Sequence, residues 1–160
     1  AVRWDSWKLV DEALNAAKPD LADASIANSL GAPRLVVVAF ADKWSKPAMA
    51  TAQALEHIRM GRDVEVGATH TPHAPTGGIQ LLASRLQAFA QLFLLEAHAE
   101  SDRAWEFGVL STPAVLFFWD GQLICVRRPD WDDDTKLVGA QAQTVLLEVI
   151  RHARECCLHA

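Results

Sequence analysis

The chain has 160 residues, 51% hydrophobic and 22% charged, with a mean hydropathy of +0.07. That is the profile of a single water-soluble domain, long enough to bury roughly 70% of its unfolded surface. A net charge of -5 argues against broad electrostatic binding to nucleic acid, which needs a surplus of cations. The longest apolar runs, such as Val115–Trp119, fall far short of the ~20 residues of a membrane span. Arg3, Asp5, Lys8, Asp11 and Glu12 interrupt any apolar core of a signal peptide. Three cysteines, Cys125, Cys156 and Cys157, are an odd set with two adjacent members. That is a poor disulfide framework and points to a reducing compartment.

In chain order, Trp7, Val10, Ala13, Leu14 and Ala17 recur at three- and four-residue spacing, which predicts an amphipathic helix over 5–17 capped by Asp5 or Ser6. Lys18-Pro19-Asp20 stops it, a short helical turn follows over 21–30, and Gly31-Ala32-Pro33 makes a break. Arg34–Ala41, R-L-V-V-V-A-F-A, is a short β-branched run that reads as a strand buried on both faces. Pro47 suits the first turn of a helix that continues over Ala48–Met60, with Met49, Ala52, Leu55 and Ile58 apolar. Residues 61–78 hold four of the eight glycines plus Pro72 and Pro75, and read as an inserted loop. A helix over 79–89 follows, then a buried strand over Gln91–Ala97 and a short Ser-capped helix over Ser101–Phe107. A third strand runs to Trp119, Asp120-Gly121 signals a hairpin, and Gln122–Arg127 returns as the fourth strand. An aspartate-rich loop over 128–134 leads to a terminal helix over Val138–Glu155, with Val145, Leu146, Val149 and Ile150 on one face. The βαβ start and ββα finish predict one α/β domain over 1–160, a mixed four-stranded central sheet flanked by helices.

Several residues carry a resemblance. The segment Lys43-Trp44-Ser45-Lys46-Pro47-Ala48-Met49 after the first strand resembles the W-C-G-P-C-K-M stretch of thioredoxins. Thr112-Pro113-Ala114, just before a strand, resembles that fold's cis-proline, and Asp120-Gly121-Gln122 its hairpin. The resemblance implies the thioredoxin-like fold, with an N-terminal helix and the loop at about 61–78 as an insertion. Ser45 and Ala48 stand at the two cysteine positions, and neither supplies the thiolate and resolving thiol that disulfide exchange requires. The chain is therefore read as redox-inactive and not an enzyme.

A closer resemblance lies in Trp7-Lys8-Leu9-Val10-Asp11-Glu12-Ala13-Leu14, F-F-W-D-G-Q-L-I-C-V from Phe117, Thr135-Lys136-Leu137-Val138-Gly139, and L-L-E-V-I-R-H-A-R from Leu146. In these stretches both ends of the chain are similar to the Dim family of thioredoxin-like spliceosomal tri-snRNP proteins. The T-K-L-V-G form leans towards the Dim-like paralogue. The resemblance implies pre-mRNA splicing in the nucleus, spliceosomal protein partners and no catalysis. The other reading is a redox-inactive adaptor or co-chaperone in the cytosol.

Other chemistry finds little support. His70-x-x-His73 reads as a loop pair; His152, Cys156, Cys157 and His159 read as a helix end, since tetrahedral zinc needs four convergent ligands. Asp130, Asp132, Asp133 and Asp134 lack the glycine and distal glutamate of a calcium loop. No phosphate-binding glycine motif occurs, and Ser45 with His57 lacks an oxyanion device. No metal or cofactor is expected, nor sequence-specific nucleic-acid contact. Of six tryptophans, Trp7, Trp105 and Trp119 read as packing residues. Trp44 and Trp131 are the candidate partner-binding residues, because tryptophan is enriched at interface hot spots.

Overall fold

The computed structural model describes residues 2–18, 34–60, 90–126 and 135–158. The readings for 21–30, 61–78, 79–89 and 128–134, and with them Trp131, His70, His73 and His159, lie outside the described residues. The described elements in order are α1 (Trp7–Ala17), β1 (Leu35–Ala41), α2 (Lys46–Arg59), β2 (Ala90–Glu96), α3 (Ser101–Glu106), β3 (Ala114–Trp119), β4 (Gln122–Leu123), β5 (Lys136–Val138) and α4 (Gln143–Leu158).

The sheet grows from β1, whose seven residues are all buried. β2 lies parallel on one side, from Leu35 opposite Ala90 to Ala41 opposite Glu96. β3 lies antiparallel on the other, from Leu35 opposite Trp119 to Phe40 opposite Ala114. The period of two sends alternate β1 side chains to opposite faces. Leu35, Val37 and Ala39 join one core with Leu55 and Ile58 of α2 and Leu146, Val149 and Ile150 of α4. Val36, Val38 and Phe40 join a second core with Val10 and Leu14 of α1 and Ala104 of α3. A strand covered on both faces explains the unbroken apolar run.

The fourth strand position is split. β4 pairs only Phe118 with Leu123 and Trp119 with Gln122, and the backbone leaves the ladder after Ile124 bonds Phe117. β5 then takes the same edge of β3, pairing Ala114, Val115 and Leu116 with Val138, Leu137 and Lys136. The expected strand over 122–127 is thus shortened, and Val138 belongs to a strand rather than to the last helix. That helix starts at Gln143 and buries Leu146, Leu147, Val149, Ile150 and Ala153, with Val145 only partly covered. The turn itself is as read: Asp120 (φ 54°) and Gly121 (φ 82°) both take positive φ, as a two-residue hairpin demands.

Two caps differ from expectation. Ser6 precedes α1 but its side chain caps nothing; the Trp7 N–H donates to Glu100 Oε1 at 3.1 Å instead. Asp5 is no cap either. Its N–H donates to the Leu94 carbonyl (2.7 Å), and its carboxylate accepts from the Leu94 N–H (3.0 Å) and from Arg59 Nη1 (2.5 Å). Residue 5 thereby covers the free edge of β2, which would otherwise offer unpaired backbone groups. Arg59 also pairs with Glu56 and donates to the Arg3 carbonyl (2.7 Å). A third departure is α3, where Ser101 is the first helical residue rather than the cap.

Candidate functional site

The segment after β1 makes a tight turn in which the Ser45 N–H donates to the Asp42 carbonyl (3.2 Å) and the Trp44 N–H to Asp42 Oδ1 (3.1 Å). Ser45 is the N-cap of α2, its Oγ accepting from the Ala48 N–H at 3.4 Å, with Pro47 in the first turn. A serine at this position therefore has a structural use, worth about 1 kcal/mol for a typical cap. Ala48 is fully buried with Ala41 and Ala52, and Val2 and Trp4 pack against this small cluster. Lys43 Nζ lies 5.5 Å from the centre of the Trp4 ring and pairs with Glu96 at 3.2 Å. The position of a second cysteine is thus an apolar plug.

Trp44 turns outward and is 72% exposed, its ring meeting His98 edge-on at 5.4 Å. Pro113 is buried, and the Thr112–Pro113 peptide bond is cis. Between the turn and the proline segment lies an open cleft of about 400 Å³, whose walls include Asp42, Ala97, Trp105, Leu110 and Thr112. Trp105 is 77% exposed and Leu110 83% exposed. This corrects the reading of Trp105 as a packing residue. The helix α3 has only six residues and turns Ala104 inward, leaving the adjacent Trp105 on the outer side. Trp7 and Trp119 do pack: the Trp7 ring meets Phe107 at 5.4 Å, tilted by 41°, and Trp119 lies against the first core under the Arg34 guanidinium. Leu110 carried no sequence signal, because a single leucine in a loop reads as filler.

The remaining constellations separate in space. Ser45 and His57 lie near opposite ends of α2, twelve residues and about 18 Å apart at helical rise. Cys156 Sγ does meet His152 Nε2 at 3.5 Å, but no group of three or more metal-ligating side chains forms among the described residues. Arg3, Arg34, Lys43, Arg59, Arg103 and Arg151 each pair with an acidic side chain. No described helix is long and apolar enough to cross a membrane.

No protein-family model matches the chain, and no curated protein sequence matches it. Among solved structures, human ERp44 in its zinc-bound form superposes with a TM-score of 0.55 at 13% identity, covering 94% of this chain and 29% of that one. A thioredoxin from Halobacterium salinarum gives a TM-score of 0.45 at 18% identity, covering 78% of each chain. Mitochondrial thioredoxin 3 from Saccharomyces cerevisiae gives 0.47 at 18% identity, over 79% of this chain and 86% of that one. The strand order and the ERp44 superposition show a thioredoxin-like α/β fold, with no cysteine at position 45 or 48 after its first strand.

Proposed function

We infer that the chain is a non-catalytic protein-binding module whose binding surface is the cleft end of the fold. The observation that carries this is the exposure of Trp105 and Leu110 on the walls of one open cleft, with Trp44 exposed on the turn after Asp42, a residue that also lines the cleft. Large side chains left bare in one neighbourhood are unfavourable in water and mark an interaction surface. With Ser45 engaged as a cap and Ala48 sealed in the core, the surface has no thiol to expose.

The resemblance of both chain ends to the Dim family supports the finer reading: a subunit that acts in pre-mRNA splicing in the nucleus and meets protein components of the tri-snRNP. Trp44 serves as an anchor, as does Trp131 in the aspartate-rich segment. The test is capture by the tagged chain from nuclear and cytosolic extracts, under salt that preserves the tri-snRNP. Recovery of tri-snRNP proteins is expected, and Trp105→Ala should lower it about tenfold, the equivalent of 1.4 kcal/mol. Failure of the unmodified chain to recover any of them overturns the splicing assignment; undiminished capture by Trp105→Ala overturns the cleft surface. Exclusive capture of cytosolic chaperones would favour the co-chaperone reading.

A further inference from the structure

Among the described residues that line the cleft, Asp42 alone is charged. Its carboxylate accepts the Trp44 N–H (3.1 Å) and pairs with no cation among the described residues. The cations on the neighbouring elements are turned elsewhere. Lys43 pairs with Glu96 (3.2 Å) and lies 5.5 Å from the centre of the Trp4 ring. Arg103 of α3 pairs with Glu106 (2.7 Å) and lies over the Trp7 ring at 5.3 Å. Lys46, exposed at the start of α2, is not a wall of the cleft. The other walls are neutral. Trp105 and Leu110 supply exposed apolar area, and Ser101 and Thr112 bring only hydroxyls.

A partner that fills the cleft strips water from Asp42, and a carboxylate desolvated without a counter-charge is costly. With Lys43 and Arg103 engaged, the partner has to bring the cation. Trp105 narrows which one. A guanidinium lies flat on an aromatic ring while it pairs with a carboxylate, and the compact ammonium of lysine is less suited to both at once. The chain builds that arrangement itself at the other end of β1, where Arg34 pairs with Asp120 (2.7 and 2.6 Å) and lies over the Trp119 ring at 4.5 Å. We propose that the cleft takes a protein segment with an arginine set between apolar residues. The guanidinium pairs with Asp42 along the Trp105 wall, and the flanking side chains cover Leu110. The net charge of -5 favours the approach of such a segment. This rests on the cleft being the binding surface and adds the partner's chemistry to it.

The test selects peptides from a random display library on the full chain. Fluorescence polarisation then compares each selected peptide with a copy in which citrulline, neutral but of the same shape, replaces arginine. The selected peptides should share an arginine flanked by apolar residues, and the citrulline copies should bind at least about fivefold more weakly. Asp42→Asn keeps an acceptor for the Trp44 N–H and should remove that difference. Glu148→Gln, exposed on α4, lowers the charge equally and should preserve it. Peptides that bind equally in both forms yet are lost by Trp105→Ala would overturn the arginine assignment and leave the cleft surface standing. A citrulline difference that survives Asp42→Asn would overturn the pairing with Asp42. Selection of no peptide that Trp105→Ala weakens would overturn the cleft surface and this inference together.

Discussion

Removing the Asp5 carboxylate should cost far more than a residue near the chain start suggests. The Asp5 side chain is 3% exposed and that of Arg59 9% exposed, so their 2.5 Å contact is a buried ion pair. Asp5→Ala takes away one partner of Arg59 and the acceptor for the Leu94 N–H (3.0 Å), while Arg59 stays in place. A buried charge stripped of a partner typically costs about 3–5 kcal/mol, against 0–1 for a surface pair. Glu56 remains beside Arg59 and retains part of the pairing, so the lower half of that range is expected for Asp5→Ala. Arg59→Met takes the buried cation from both Asp5 and Glu56, leaving Asp5 only the exposed Arg3 at 3.6 Å, and should reach the upper half. The double variant Asp5→Ala with Arg59→Met should lose less than the two single losses combined, because no unpaired guanidinium is left behind. For a chain of 160 residues, about 2–4 °C of melting temperature accompanies each kcal/mol, so Asp5→Ala should melt roughly 6–16 °C lower. Equilibrium urea unfolding followed by tryptophan fluorescence measures the free energies directly. A loss below about 1 kcal/mol for Asp5→Ala, or strict additivity in the double variant, would refute the reasoning.

Gly121→Ala should destabilise by about 1–3 kcal/mol, because its φ of 82° strains any other residue and the new Cβ would lie 2.8 Å from the Leu14 carbonyl. Gly108→Ala, with φ 69° but nothing nearer than Lys136 Nζ at 3.7 Å, should cost less; equal melting temperatures for the two variants would count against the steric part. In an insulin-reduction assay with dithiothreitol the chain should not exceed the rate without protein, since positions 45 and 48 hold no thiol. Turnover above that background would overturn the reading of the chain as redox-inactive.

Local chemistry alone settled much of this protein. The unbroken run Leu35–Ala41 announces a strand covered on both faces, and the spacing of Val10, Ala13, Leu14 and Ala17 announces a helix with one buried side. Asp120-Gly121 encodes its turn because positive φ at both positions favours those residue types. The loss of thiols at Ser45 and Ala48 is legible in the same way, since chemistry that needs sulfur cannot run without it. What the sequence could not decide was set by contacts across long separations. Asp5 reads as a helix cap, yet it meets Arg59 and Leu94, because a carboxylate goes to whichever donors the fold brings to it. Lys136–Val138 carries too few residues to declare itself, and becomes a strand only because the early exit of Gln122–Leu123 leaves half the edge of β3 open. Trp105 is the plainest case. Its aromatic bulk argues for burial, but Ala104 beside it takes the inward position on a six-residue helix, so the larger ring is left facing solvent at the cleft.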